Sequence, residues 1–113
     1  MDCIFCKIIA GDIPSTIVYQ DEDCIAIRDI NPQAPTHVLV MPRKHYCCLT
    51  TAATEDAALV GRLMKACVKV AELEGLLEDG YRVVTNIGEN GAQTVKHLHL
   101  HVLGGKKLTE EMA

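Results

Sequence analysis

Three histidines alternate with apolar residues close to the end of the sequence. They are His97, His99 and His101, and a leucine or valine follows each of them. Imidazole titrates near neutral pH and is a nucleophile in its neutral form. A central histidine between two others could attack a phosphorus atom while its neighbours stabilise charge on the non-bridging oxygens. The pattern predicts hydrolysis at phosphorus through a phospho-histidine intermediate, which water then resolves.

The spacing of these histidines favours an extended substrate over a single metal ion. Alternate side chains of a β-strand share a face, so a strand would present the three imidazoles together and turn Leu98, Leu100 and Val102 toward the core. The Cα atoms of His97 and His101, four residues apart, would lie ~13 Å apart. Three imidazoles on a regular strand would converge on one zinc ion with difficulty, whereas two neighbouring histidines, or one histidine with ligands from elsewhere, would do so more easily.

A polar, glycine-containing stretch precedes the histidines. Residues 88–94 include two glycines, the amide of Gln93 and the hydroxyl of Thr94. Such backbone and side-chain groups can donate hydrogen bonds to a phosphate. The same composition is typical of a surface turn, so the stretch alone leaves both interpretations open.

The sequence contains six cysteines, whose spacing bears on disulfides and on metal binding. No export signal is visible at the start of the sequence, and cytosolic thiols stay reduced, which argues against a disulfide framework. Cys24 and Cys67 fall at apolar positions of a predicted strand and helix, where a free cysteine behaves as a small hydrophobe. The Cys3-x-x-Cys6 spacing can place two thiolates on one metal ion, and it can also be incidental.

The elements that must position these residues follow from apolar spacing and turn residues. Residues 5–10 predict a short helical turn, and residues 17–19, 24–28, 37–41, 81–85 and 96–103 predict strands. Thr54 is the expected N-cap of a long helix that ends between residues 75 and 80. The apolar face of that helix is Leu59, Val60, Leu63, Cys67 and Val70. Strands with one long central helix predict an α+β fold, and the absence of a linker predicts one domain over residues 1–113.

Composition limits the function classes further. The 113 residues are 49% hydrophobic and 23% charged, with a formal net charge of −4. These values are typical of a globular protein, and no apolar run approaches the length of a membrane-spanning helix. The negative charge argues against a nucleic acid polymer as partner, so a phosphate ligand is expected to be small. No basic segment precedes an apolar stretch at the start, which predicts a cytoplasmic protein without a membrane partner.

The sequence resembles the histidine triad (HIT) family, and within it the branch of histidine triad nucleotide-binding proteins (Hint). Residues 97–103 match the family motif, in which three histidines alternate with apolar residues and two apolar residues follow the last. Residues 2–9, 13–15 and 29–37 also resemble the Hint branch, as do residues 91–95 before the triad and Gly104-Gly105 after it. The resemblance covers residues 2–105, nearly the whole chain.

The resemblance implies a fold and an activity. The fold is an α+β antiparallel sheet with one long helix and a short N-terminal helix, and Hint proteins are two-fold homodimers. The activity is hydrolysis at the α-phosphate of purine nucleotides such as adenosine 5′-phosphoramidates and aminoacyl or lysyl adenylates. It releases AMP through a nucleotidyl-histidine intermediate, and the expected ligand is a purine nucleotide such as AMP or GMP.

The resemblance also implies roles for individual residues. His99 is the nucleophile, His101 contacts the α-phosphate, and His97 completes the triad. His37 supports the hydrogen bonds of the triad, and Asp29 binds the ribose hydroxyls. Contacts to phosphate and leaving group are expected from Asn86, Gln93 and Thr94, the last at a position where the branch usually has serine. Apolar walls around base and sugar are expected from Phe5, Ile8, Ile27 and Ile30.

Some bacterial-type relatives carry zinc, and the resemblance implies where it would lie in this chain. The ligand set would be Cys3, Cys6, His45 and His97. Two cysteines and two histidines form a closed structural set, so the metal would brace the site without entering the chemistry. The competing interpretation is that His97 is an ordinary triad member and Cys3 a surface thiol.

Other functions compete with the phosphoramidase interpretation. The first is a dinucleoside polyphosphate hydrolase, the activity of another branch of the family. The second is a nucleotide-binding adaptor without significant turnover, and the third is a zinc or redox protein that uses the six cysteines. One departure from the family matters here: animal Hint proteins end in a tail that contains tryptophan, and this sequence contains no tryptophan. Leaving-group preference therefore does not carry over from those relatives.

Overall fold

Five strands form one antiparallel sheet in the part of the chain that the structure describes. The computed structural model describes residues 3–111; residues 1–2 and 112–113 of the predicted domain, including Asp2 of the resemblance, lie outside the described residues. The strands are β1 (Ile17–Gln20), β2 (Cys24–Arg28), β3 (Thr36–Pro42), β4 (Tyr81–Val84) and β5 (Leu100–Gly104). Their order across the sheet is β1-β2-β3-β5-β4. The predicted α+β fold with an antiparallel sheet is confirmed.

Within residues 3–111, three helices flank this sheet: α1 (Ile4–Ile9), α2 (Leu49–Glu55) and α3 (Ala57–Leu73). Helix α3 covers one face, where Leu63, Cys67 and Val70 are fully buried in the main core. On the other face, Phe5 of α1 packs with Leu39 and other buried residues of β2 and β3. Within residues 3–111 no helix is both long and apolar enough to cross a membrane.

The alternation along β3 and β5 separates core from site. Val38 of β3 pairs with Val102 of β5, and Leu39 pairs with His101. Val38 and Val102 are buried in the α3-side core, so Leu39 and His101 point to the face that α1 covers in part. The site is therefore built on the sheet face opposite α3.

The start of the long helix differs from the sequence prediction. Asp56 caps α3 by accepting a hydrogen bond from the backbone N–H of Leu59 at 3.2 Å, and Thr54 lies inside the separate helix α2. The hydroxyl of Thr54 donates to the carbonyl of Thr50 at 2.8 Å, so it satisfies its own helix instead of capping the next. Four of the five predicted face residues are buried, and Val60 is half-buried against the core.

The last strand is shorter than predicted and begins at Leu100 instead of residue 96. Its partner β3 ends at Pro42, which lacks a backbone N–H and cannot continue the ladder. Residues 97–99 therefore leave the sheet, although Leu98 remains buried in the α3-side core. This departure frees the backbone of His97 and the side chain of His99 for contacts that a regular strand would forbid.

Candidate active site

His99 lies directly before β5, and its ring is held by one hydrogen bond and one aromatic contact. Its Nδ1 is 2.7 Å from the backbone carbonyl oxygen of His97. A carbonyl oxygen only accepts, so Nδ1 carries the proton of the neutral ring and Nε2 is assigned the lone pair. Phe5 packs edge-on against the ring with centroids 5.0 Å apart. In its neutral form, His99 would therefore present the Nε2 lone pair, the nucleophilic atom of an imidazole, in a fixed orientation.

His101 and His37 form a directed hydrogen-bond chain. The backbone N–H of Gln33 donates to Nδ1 of His37 at 3.0 Å, so the proton of the neutral His37 ring is on Nε2. That Nε2 lies 2.8 Å from Nδ1 of His101 and 3.4 Å from a carboxylate oxygen of Asp29. His101 therefore accepts at Nδ1, which leaves Nε2–H as a donor toward a substrate oxygen.

Burial keeps this pair of histidines neutral. It lowers the pKa of His101 to about 4, and the neighbouring His99 and His37 act in the same direction. Burial also lowers the pKa of His37, although the carboxylate of Asp29 opposes the shift. Near neutral pH, His101 can therefore donate one hydrogen bond from Nε2 without carrying a full positive charge.

A second cluster brings together Cys3, Cys6, His45 and His97, whose ligand atoms all lie within 4.8 Å of one another. Nδ1 of His97 is 3.4 Å from the Cys3 sulfur, 3.6 Å from the Cys6 sulfur and 3.1 Å from Nδ1 of His45. The Cys6 sulfur is also 3.4 Å from Nδ1 of His45. These residues are up to 94 positions apart in the sequence. They are brought together by α1, by the segment after β3 and by the segment before β5.

The donor set of this cluster fits a tetrahedral zinc ion. Ligand bonds of about 2.0–2.3 Å place donor atoms roughly 3.3–3.8 Å apart in a tetrahedron, close to the separations above. Nε2–H of His97 donates to the carbonyl of Pro42 at 2.9 Å, which turns the lone pair of Nδ1 toward the cysteines. Burial lowers the pKa of His97, which favours the neutral ring that a metal requires.

Gln93 braces the loop that joins the two clusters. Its Nε2 donates to the carbonyl of Cys47 at 2.6 Å and to that of Val95 at 2.9 Å, and its Oε1 accepts from the N–H of Gly88 at 3.1 Å. The side chain is buried, and both amide hydrogens already have acceptors. The structure therefore gives this amide a positioning role, and its expected contact to phosphate stays a prediction.

The other two predicted polar contacts lie at different places. Asn86 lines a cavity of about 390 Å³ beside His37 and His101, and its Nδ2 donates to the carbonyl of Gly91 at 2.7 Å. Thr94 is exposed on the surface of the loop. A Cβ at Gly91 would clash with the carbonyl oxygen of Ile87, so the turn that joins these residues requires glycine.

An apolar cavity of about 510 Å³ opens between α1, the segment after it and the end of β2. Asp29 and three of the four predicted apolar walls, Ile8, Ile27 and Ile30, line it. Ile30 is 92% exposed, which is unusual for a large apolar side chain and fits a surface that a ligand covers. Phe5 is not in the lining: it is buried, and its ring packs edge-on against His99.

Several contributing residues lay outside the sequence predictions. Gln33 and Pro42 act through their backbone, by fixing the tautomers of His37 and His97. The sequence did contain a signal for Pro42, because a proline at the end of a predicted strand stops the ladder of hydrogen bonds. The carbonyl of that proline can then accept a hydrogen bond from a side chain. Ile4 and Ile13 join the apolar cavity, and nothing in their local pattern separated them from ordinary core positions.

Comparisons with known proteins agree with this fold. The model of the HIT domain family matches residues 10–108. A purine nucleoside phosphoramidase of Escherichia coli is 45% identical over 112 residues, which cover 99% of this chain and 94% of that protein. An uncharacterised HIT-like protein of Synechococcus elongatus is 50% identical over 107 residues, 95% of this chain and 93% of that one. The structure of a HIT family hydrolase from Clostridium thermocellum superposes with a TM-score of 0.94 at 46% identity, covering 99% of this chain and 97% of that one.

Proposed function

This chain belongs to the HIT domain family, and on that basis we propose that it is a nucleotide hydrolase that acts at the α-phosphate. The proposed substrates are adenosine 5′-phosphoramidates and aminoacyl or lysyl adenylates, and the released product is AMP. The name of the Escherichia coli relative, purine nucleoside phosphoramidase, supports this class of substrate.

The observation that carries the proposal is the hydrogen bond between Nδ1 of His99 and the carbonyl of His97. It leaves the lone pair of His99 on Nε2, which attacks the α-phosphorus as the bond to the leaving group breaks. His101 donates from Nε2–H to a non-bridging oxygen, where charge develops. Water then attacks the phosphorus of the nucleotidyl-histidine, and AMP leaves as His99 is regenerated.

The apolar cavity is the proposed nucleoside site. Ile8, Ile27 and Ile30 would pack against the purine and sugar, and Asp29 would accept hydrogen bonds from the ribose hydroxyls. A carboxylate oxygen of Asp29 also lies 3.4 Å from Nε2 of His37. Asp29 therefore belongs both to the proposed nucleoside site and to the series of hydrogen bonds that ends at His101. This proximity supports a binding mode in which the α-phosphate of AMP or GMP would lie near the imidazoles.

We propose that Cys3, Cys6, His45 and His97 hold a structural zinc ion. When bound, the ion would cross-link α1 to the segment after β3 and the segment before β5. With four protein ligands it would have no free coordination position for a reacting water. Its ligand His97 carries the carbonyl that orients His99, so metal binding and nucleophile geometry meet in one residue. A cytoplasmic location, where these thiols stay reduced, remains our prediction.

Dinucleoside polyphosphate hydrolysis is the second candidate, and one feature favours it. The cavity beside His101 is lined by Arg82, Lys106 and Lys107, and among the described residues no acidic side chain lines it. A polyphosphate leaving group is anionic and would be attracted to that lining.

Competition between the two substrate types tests the proposal. Adenosine phosphoramidate and diadenosine polyphosphate at equal concentration are offered to the same protein, and the rates of AMP release are compared. Faster release from the phosphoramidate supports the proposal, and faster cleavage of the polyphosphate supports the second candidate. Binding of AMP without turnover of either substrate would contradict both and indicate an adaptor.

A further inference from the structure

Two adjacent cysteines lie outside the proposed metal set and away from the main core. Cys47 is exposed and Cys48 is half-buried, and their sulfur atoms are 3.4 Å apart at the start of α2. The hydroxyl of Thr51 is 3.4 Å from the Cys47 sulfur and 4.0 Å from the Cys48 sulfur. The pair is thus accessible and preassembled for a reaction that joins two sulfurs.

The remaining cysteines do not share this environment. Cys24 and Cys67 are fully buried, and burial raises the pKa of Cys24 to about 11 and that of Cys67 to about 12. The backbone of Thr51 and the neighbouring Cys47 thiol lower the pKa of Cys48 to about 7. Because the thiolate is the reactive form, Cys48 is more reactive at neutral pH than Cys24 or Cys67.

The backbone around this pair holds the loop in front of the nucleophile. The carbonyl of Cys47 accepts the 2.6 Å hydrogen bond from Gln93. The carbonyl of Tyr46 accepts from the N–H of Leu98 at 2.7 Å, between His97 and His99. A change in the backbone at residues 46–48 therefore acts on both ends of the segment from Gln93 to Leu98.

We propose that Cys47 and Cys48 form a modification site for hydroperoxides, at which oxidation to a Cys47–Cys48 disulfide disturbs the Gln93 brace and lowers hydrolysis. The effect on hydrolysis rests on the proposed function, whereas formation of the disulfide does not. The proposed metal ligand His45 lies two residues before Cys47 on the same segment, so zinc content is measured together with the disulfide.

The reaction balances with hydrogen peroxide as the oxidant. The Cys48 thiolate attacks one peroxide oxygen, the O–O bond breaks, and the departing hydroxide takes up a proton to become water. The sulfur of Cys47 then attacks the sulfenic sulfur of Cys48, the S–O bond breaks, and the oxygen leaves as a second water with the proton of the Cys47 thiol. Two thiols lose two electrons, and one peroxide becomes two waters.

Ring closure must change the backbone here. The Cα atoms of neighbouring residues are about 3.8 Å apart across a trans peptide, which is below the usual disulfide range of about 4.4–6.8 Å. The sulfurs must also approach from 3.4 Å to about 2.05 Å. The peptide between Cys47 and Cys48 must therefore twist, which moves the Cys47 carbonyl relative to Gln93, and the strained bond should be readily reduced by a dithiol.

The test treats the zinc-loaded protein with hydrogen peroxide and compares it with Cys48→Ser. Peptide mapping by mass spectrometry should place a disulfide between Cys47 and Cys48 in the wild type, with zinc content unchanged. Hydrogen exchange at the Leu98 amide should become faster, and AMP release should fall by about tenfold, the effect of losing roughly one hydrogen bond in the loop. Dithiothreitol should restore both, and Cys48→Ser should keep its rate in peroxide.

Three results would overturn the proposal. The first is absence of a Cys47–Cys48 disulfide after treatment, and the second is equal loss of activity in Cys48→Ser. The third is a disulfide that leaves exchange at Leu98 unchanged. A wild-type protein that releases no AMP before oxidation counts against the proposed function instead, because disulfide mapping and hydrogen exchange are still readable in it.

Discussion

At the scale of single residues, proton positions assign the roles of the histidines. Backbone carbonyls fix the protonated nitrogens of His97 and His99, and a backbone N–H fixes the accepting nitrogen of His37. A backbone N–H can only donate and a carbonyl oxygen can only accept, so the backbone partner determines which ring nitrogen carries the proton in each neutral histidine. In their neutral forms, His97 directs its lone pair toward the cysteines, His99 has its lone pair on Nε2 as the proposed nucleophile, and His101 has an N–H for the proposed substrate.

The lowered pKa of His101 predicts how stability depends on pH. The unfolded chain protonates this residue near its ordinary pKa of 6.5, whereas the folded chain does so at about 4. Between those values the unfolded state binds more protons, so the free energy of unfolding falls as the pH drops from about 6.5 to about 4 and levels off below. The effect of this one residue is on the order of 3 kcal/mol.

Urea unfolding from pH 7 to pH 4 measures this dependence. His101→Asn keeps an acceptor for the His37 proton and removes the titrating group, so its stability should fall less steeply over that range. His37 and His97, whose pKa values burial also lowers, should leave part of the slope in the variant. A variant as steep as the wild type would contradict the assignment.

At the scale of elements, the site forms where the strand prediction was wrong. Alternation identified which residues of the 97–103 run face the core, and Leu98, Leu100 and Val102 are buried there. It did not reveal that β5 begins at Leu100, because that limit is set by Pro42 on a strand 58 residues earlier. The Cys3, Cys6, His45 and His97 set came from family resemblance, since no local pattern links residues so far apart.

The metal proposal predicts that the protein binds a zinc ion and that this ion keeps α1 folded against the rest of the chain. We expect one zinc ion per chain in purified protein, measured by plasma mass spectrometry, and its loss in Cys6→Ser. Because Cys3 and Cys6 both lie at the start of α1, chelation of the wild type should lower its melting temperature and expose α1 to proteolysis. Cys47→Ser is the matched control and should keep the ion. Full zinc content in Cys6→Ser would contradict the ligand set.

The loop between β4 and β5 predicts opposite effects at neighbouring positions. Gly91→Ala should weaken AMP release, because the new Cβ meets the carbonyl oxygen of Ile87. Ala92→Gly should be neutral or slightly stabilising, because Ala92 has a φ of 60°, which favours glycine. Melting temperature and turnover of both variants decide the point, and a harmless Gly91→Ala would show that the loop adjusts.

At the scale of the whole molecule, the described surface has an apolar stripe consistent with the predicted homodimer. Met64 and Val68 on α3 are 45% and 48% exposed and lie four residues apart on one side of the helix. Strand β4 is an edge strand of the sheet, so its free edge could pair with a strand of a second copy. We propose that a two-fold dimer covers both, as the family resemblance implies.

Charge placed in this stripe should separate the subunits. Val68→Lys is expected to give a monomer by light scattering coupled to size exclusion, because a buried unpaired charge opposes the interface. Ile17→Lys, of similar exposure but on the opposite sheet edge, is the control and should leave the assembly unchanged. A wild-type protein that is monomeric at micromolar concentration would contradict the dimer.

Sequence patterns gave the sheet, the long helix and the histidine row, because each depends on local periodicity. The second helix α2, the early end of β5 and the tautomers depend on contacts between distant segments, and no local pattern encodes them. Phe5 illustrates the difference: its apolar character was evident, but only the fold shows that it packs against His99 and does not line the proposed nucleoside cavity.

The most direct test of the account is intact-protein mass spectrometry within the first turnovers of an adenosine 5′-phosphoramidate. Wild type should show a transient mass increase equal to one adenylyl group, and peptide mapping should place it on His99. His99→Ala should show no adduct and no AMP release while still binding AMP. AMP release without an adduct, or an adduct that persists in His99→Ala, would contradict catalysis through Nε2 of His99.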